Sequence, residues 1–164
     1  MTHEERVNLG RYESQLARSR PTNPARNINR KENDMPENPR AAAGRAMRRK
    51  LMGEAYADRL DATVYDDPIM KKFGEVSVEN IFGALWTRPG LDLKTRTLVV
   101  VVSDTVMGRD AELAIHLRMA RNQGWSEDEL VEAMLHLQGY IGAPLVREAL
   151  ICARKVFADL RAEG

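Results

Sequence analysis

The sequence predicts an all-α domain of about six helices behind a basic N-terminal arm, and three observations carry that prediction. From Ala41 onward, good helix formers alternate with apolar residues at three- and four-residue intervals. Capping and breaking residues divide this stretch at helix-sized lengths. The one strand-like run, Leu98 to Val102, has no second strand-like segment to satisfy its backbone hydrogen bonds.

Residues 1–40 are the arm. Residues 1–50 carry 12 Lys+Arg against 6 Asp+Glu, and the rest carries 13 against 18, so a basic end precedes an acidic body. The stretch Arg18 to Arg40 is rich in proline and asparagine and has no Leu, Val or Phe. It cannot bury enough apolar area to offset its chain entropy. A disordered tail fits this composition, and so does an arm draped over the acidic body of its own or a neighbouring subunit. Binding to nucleic acid ranks below both, because no aromatic residues interleave with the arginines.

Residues 41–164 form the helical domain. Met47, Leu51, Ala55 and Leu60 keep helical spacing in a first helix over about 41–62. Asp66-Asp67-Pro68 supplies an acidic cap with proline in the first turn, starting a second helix from Ile69 to Trp86. Arg88-Pro89-Gly90 ends it. Asp92 is a cap for the valine-rich segment that follows, which reads as a fully buried helix despite its β propensity. Gly108 precedes a helix over RDAELAIHLRMARNQG, closed by Asn122 and Gly124. Ser126 and Glu129 make a capping box for a helix reaching about Gly139, and Pro144 opens the last helix, to about Arg161.

Composition narrows the function. A net charge of +1 gives no bulk attraction to nucleic acid or membrane. No apolar run approaches the roughly 20 residues that span a bilayer. The start, MTHEERVNLGRYESQ, lacks an apolar signal core, so a cytoplasmic protein is expected. The lone Cys152 allows neither an intrachain disulfide nor a CxxC pair, and reads as a small buried side chain. There is no zinc-type Cys/His cluster, phosphate loop or GxSxG elbow.

Two polar stripes could carry chemistry. Arg109, Glu112 and His116 stand at i, i+3 and i+7 on one helix face beside Leu113 and Leu117. Imidazole titrates nearest neutrality, a carboxylate one turn away can orient it, and a guanidinium can hold a substrate anion. A surface ion pair uses the same spacing. Glu132, His136 and Tyr140 form a second stripe at i, i+4 and i+8, which could equally be solvated or interfacial. Trp86 and Arg88 stand at a helix end, where they could close a pocket over an anion or anchor an interface.

The stretches LWTRPGLDLKTRTLV, GRDAELAIHLRMARNQG and DELVEAMLHLQGYIGAP resemble, in order and spacing, the signatures of the carboxymuconolactone decarboxylase family. The resemblance covers about Ala41 to the C-terminus. It implies an alkylhydroperoxidase-D-like helical fold, with the valine segment helical, and a ring-shaped homo-oligomer, a trimer or hexamer. Thiol peroxidases of the wider superfamily carry a CxxCxxxH motif. Aligned on His116, Arg109 and Glu112 occupy its two cysteine positions, as in the decarboxylase branch.

The resemblance implies a cofactor-independent decarboxylase acting on a carboxylated unsaturated lactone such as 4-carboxymuconolactone, in aromatic catabolism. His116 would be the general acid/base, Glu112 its orienting partner and Arg109 the anion or oxyanion stabiliser. Trp86, Arg88, His136 and Tyr140 would line the pocket. Ala84 stands where the decarboxylase usually has an acidic residue, His136 where an uncharged residue is usual, and Leu145-Val146-Arg147 departs from the family pattern after Pro144. These departures admit an isomerase, hydrolase or dehydratase on a related lactone or ring acid. A non-catalytic oligomeric binding module is a third reading.

Overall fold

The structure, a computed structural model, describes residues 38–163. The arm lies outside them except for its last three residues, and these begin the first helix. Asn38 caps it, its Oδ1 accepting from the Arg40 N–H at 3.0 Å, and Pro39 sits in the first turn. The elements are α1 (Pro39–Met52), α2 (Glu54–Thr63), α3 (Pro68–Ser77), a π-helical segment (Val78–Trp86), α4 (Leu93–Met107), α5 (Asp110–Asn122), α6 (Glu127–His136), the single turn α7 (Gln138–Ile141) and α8 (Ala143–Glu163). There is no strand among the described residues, and the valine run is helical. No described helix is long and apolar enough to cross a membrane.

The expected caps form. Asp67 accepts from the Ile69 and Met70 amides at 2.8 and 3.1 Å, and Asp92 from the Thr95 amide at 2.9 Å. Ser126 and Glu129 exchange the reciprocal bonds of a capping box.

Four expectations change. The first helix is two: Gly53, at φ +83°, ends α1 while its N–H still reaches the Arg49 carbonyl. The break resets the helical phase, leaving Ala55 exposed and burying Ala57 completely. The second helix leaves α geometry at Val78 and finishes as a π-helix. The third, α4, is not fully buried. Thr97, Val101, Asp104 and Thr105 face inward, whereas Val99, Val106 and Met107 on the far side are exposed, because α4 packs along one face only. Finally, α6 ends at His136 rather than Gly139, so Tyr140 lies on a separate turn.

The buried side chains form two clusters. One joins Val101 of α4, Leu113 and Leu117 of α5, Leu130 and Met134 of α6, and Ala149, Ala153 and Phe157 of α8. The other joins Leu51, Met52, Ala57 and Trp86 to Met119 of α5. Helix α5 serves both, which is why it is apolar around so much of its circumference. Against the π-segment, α1 lies backbone to backbone. A Cβ on Gly44 would stand 2.0 Å from the Val78 carbonyl oxygen, and one on Gly83 would stand 2.2 Å from that of Arg40.

The end of α8 is tied to α2 and α5 through charge. Arg118 holds Glu163 by two bonds of 2.7 and 3.1 Å, and Arg118 and Arg59 each lie about 5 Å from the Tyr56 ring centre. The hydrogen bond from Arg118 holds the Glu163 carboxyl below the usual carboxylate range, with the charges of Arg118 and Arg59 adding to it. A carboxylate depressed in the folded state contributes stability above its unfolded pKa, and loses it as pH falls through the folded value. The melting temperature of the wild type should therefore exceed that of Glu163→Gln at pH 7. The difference should close on acidification below about pH 4.5, followed by circular dichroism.

Candidate active site

The turn between α4 and α5 builds the centre of the site. Gly108 takes a left-handed conformation at φ +63°, and the Asp104 carbonyl accepts from the N–H of Gly108 and, at 3.0 Å, from that of Arg109. Glycine is required because a side chain there would be strained. The reversal lays α5 against the end of α4, facing Asp104 with His116.

His116 Nδ1 lies 2.5 Å from Asp104 Oδ2. The Asp104 side chain is 9% exposed and that of His116 25%. The carboxylate that holds the imidazole is therefore Asp104, from the preceding helix, and not Glu112. Glu112 is exposed and has no side-chain hydrogen bond or ion pair with a described residue, because its position on α5 points it past the rim of the core. Arg109 is the N-cap residue of α5, with an exposed side chain that makes no hydrogen bond or ion pair with the described residues. His116 Nε2 likewise has no partner among them. The stripe Arg109, Glu112, His116 thus runs from solvent toward the core, with the imidazole deepest.

Trp86 is buried, 7% exposed, at the start of the second cluster. It also lines an apolar depression of about 250 Å³ with Ile81, Leu85, Val99 and Val100. The guanidinium in that depression belongs to Arg96 rather than Arg88. Arg96 donates to the carbonyls of Leu91 and Arg88 at 2.9 and 2.8 Å, fixing the turn between the π-segment and α4, while the Arg88 residue is exposed. Val100 stands one helical turn before Asp104 on α4, about 6 Å along the axis. The depression and the Asp104–His116 pair are therefore neighbours on one helix.

The second stripe is divided by the end of α6. The His136 and Tyr140 rings still meet, tilted at 47° with centres 5.4 Å apart, but both are exposed and Tyr140 is 75% accessible. No described hydrogen bond, ion pair or ring contact joins them to His116.

The residue that reading the sequence missed is Asp104. Its signal was present: a lone acid at the inward positions 97, 101, 104 and 105 of a valine-rich helix must find a partner. Arg96, which shapes the wall beside Trp86, was missed as well.

Cys152 lies half-buried on α8, its Sγ donating to the Asp110 carbonyl at 3.3 Å. Burial pushes its thiol pKa up, so little thiolate exists at neutral pH. Cys152→Ser keeps the donor, and should leave turnover within about twofold and thiol-dependent peroxide consumption at background. Dithiol-coupled peroxide turnover removed by the substitution would contradict this.

A buried carboxylate holding an imidazole at the rim of a helical core, with a guanidinium at the start of the same helix that has no partner among the described residues, and no cysteine pair, defines a site for acid/base chemistry on an anionic substrate. A model of the family described as "Carboxymuconolactone decarboxylase family" matches residues 72–155, which include every residue of this site. The 4-carboxymuconolactone decarboxylase of Acinetobacter baylyi is 34% identical over 126 residues, covering 77% of this chain and 92% of that protein. Nitrosuccinic acid decarboxylase npaB of Metarhizium robertsii is 34% identical over 123 residues, covering 74% of this chain and 83% of that protein. An uncharacterized 15.0 kDa protein of Paracoccus denitrificans is 34% identical over 84 residues, or 50% of this chain and 63% of that one. The chain belongs to the carboxymuconolactone decarboxylase family, and with two relatives named as decarboxylases it is a carboxy-lyase.

Proposed function

We propose that the protein decarboxylates a small polycarboxylic acid whose departing carboxylate leaves an electron pair that an adjacent acceptor group can take up. It would do so by acid/base catalysis from its own side chains. The observation that carries this reading is the His116 imidazole, held at Nδ1 by Asp104, with Nε2 left without a partner among the described residues.

In the proposed reaction, the bond between the substrate carbon and its carboxylate breaks and CO2 leaves. The electron pair spreads into the acceptor, a lactone carbonyl or a nitro group. Arg109 faces the developing oxyanion or a remaining carboxylate, and its charge favours the transition state. His116 delivers the Nε2 proton to carbon, and the neutral imidazole regains a proton from solvent. Glu112 has lost its expected place as orienting partner. At the exposed end of the stripe it acts through its charge on where an anionic substrate settles. Trp86 is assigned to the substrate wall through the depression it lines, whereas Arg88, His136 and Tyr140 are assigned to the pocket on the family resemblance alone.

Two substrates are proposed for assay. A carboxylated lactone of the 4-carboxymuconolactone kind follows from the family, within a role in aromatic catabolism. Nitrosuccinate has equal standing, because the two decarboxylase relatives are equally identical to this chain. Both compounds bear a second carboxylate for Arg109. CO2 release from each should identify the acceptor, and Arg109→Ala should raise KM and lower kcat together, by about tenfold or more in kcat/KM. A kcat/KM for Arg109→Ala within about twofold of wild type would remove Arg109 from the site, and no CO2 from either compound would move the substrate elsewhere.

A homo-oligomer, trimer or hexamer, is also proposed. Its support is the exposed apolar side chains of Ile69, Phe73 and Val76 on α3, which a second copy of this chain would cover. Light scattering reads the assembly directly.

A further inference from the structure

We infer that Asp104 is a positioning residue that fixes His116 in the Nδ1–H tautomer and so makes Nε2 the working nitrogen. This rests on the reading of His116 as the proton donor.

Two observations meet on Asp104. It stands on the inward face of α4 among Val101 and Thr105, where the residue is 7% exposed. Its side chain has one partner among the described residues, the His116 imidazole at 2.5 Å across the α4–α5 turn. An aspartate is a poor helix former, and a buried carboxylate loses hydration that one neutral donor restores only in part.

A carboxylate has only acceptor capacity and therefore demands N–H at Nδ1. A neutral imidazole has one N–H, so this demand assigns the lone pair to Nε2. When Nε2 is protonated, the Asp104 charge lies beside the imidazolium and offsets its burial. Either way the nitrogen turned from Asp104 is the one that exchanges protons with substrate. The turn at Gly108 makes the arrangement rigid, since the Asp104 carbonyl is bound by the amides on the far side of that turn.

The experiment uses the full chain with 15N-labelled histidine, and His116→Ala identifies the His116 signals. In the wild type the neutral ring should show Nδ1 protonated and Nε2 bare. Asp104→Leu removes the acceptor and should release the ring to the Nε2–H form that a free histidine side chain prefers. Asp104→Asn, which can present either an oxygen or an amide to Nδ1, should give a mixture. In both variants kcat should fall about 10²–10⁴-fold with KM within about threefold, because tautomer and aim are lost but substrate contacts are not. Melting curves check that each variant is folded.

Unchanged His116 nitrogen signals in Asp104→Leu would overturn the inference. So would a changed tautomer with kcat within threefold of wild type. In that second case His116→Ala separates the causes. If it is also active, His116 is not the proton donor and the functional reading fails; if it is inactive, only the role of Asp104 fails.

Discussion

Replacing His116 with alanine is expected to lower turnover by about 10²–10⁴-fold, the usual contribution of a positioned general acid or base. That range corresponds to roughly 2.7–5.5 kcal/mol of transition-state stabilisation. KM should move little, because the proton is transferred only as carbon accepts the electron pair. The alanine variant also strands the Asp104 carboxylate without a donor in an environment where it is 7% exposed. Loss of a buried partner destabilises on its own account, so His116→Gln is the companion variant. Its amide can still donate to Asp104 but cannot act as an acid at neutral pH. Both variants should therefore lose turnover, while His116→Gln melts closer to the wild type. Steady-state CO2 release, measured beside thermal melts, reads both quantities. Turnover of a folded His116→Gln within about threefold of wild type would remove His116 from the chemistry.

The largest stability effect is expected at the crossing of α1 and the π-segment. In Gly44→Ala the new methyl would lie 2.0 Å from the Val78 carbonyl oxygen and 2.9 Å from the Gly83 nitrogen, and neither is a flexible side-chain end. Relief requires the two segments to separate by about an ångström or more, loosening the cluster that holds Leu51 and Trp86. Alanine recovers about 1 kcal/mol of helix propensity over glycine. Overpacking of this severity should outweigh that gain and leave a net loss of about 3 kcal/mol. At this domain size that is a fall in melting temperature of roughly 10 °C or more. Gly90→Ala is the control, because nothing lies within 4 Å of its added carbon. A Gly44→Ala melt within 2 °C of the control would show that α1 can move away freely.

The sequence by itself determined the features whose cause lies within a few residues along the chain. The ends of the helices at Asp67, Asp92 and Ser126 are local hydrogen bonds, legible because a short polar side chain next to a helix-forming stretch has one favourable use. The helical state of Leu98 to Val102 followed from the lack of a pairing strand, and the one-turn spacing of Glu112 and His116 from the pitch of α5. The family, too, was readable from the signature stretches between Leu85 and Pro144.

Tertiary structure decided whatever depends on residues brought together from separate helices. Gly53 reset the phase that would have buried Ala55, because a glycine can take the positive φ that Leu51 and Met52 cannot, and the packing of α2 required it. Tyr140 was parted from the helix of His136 by a one-residue break at Leu137 that helical spacing alone does not register. Above all, the partner of His116 proved to be Asp104. Glu112 is nearer in sequence, but a surface carboxylate keeps its water, whereas Asp104 on the inward face of α4 has given its water up and must take a donor from α5.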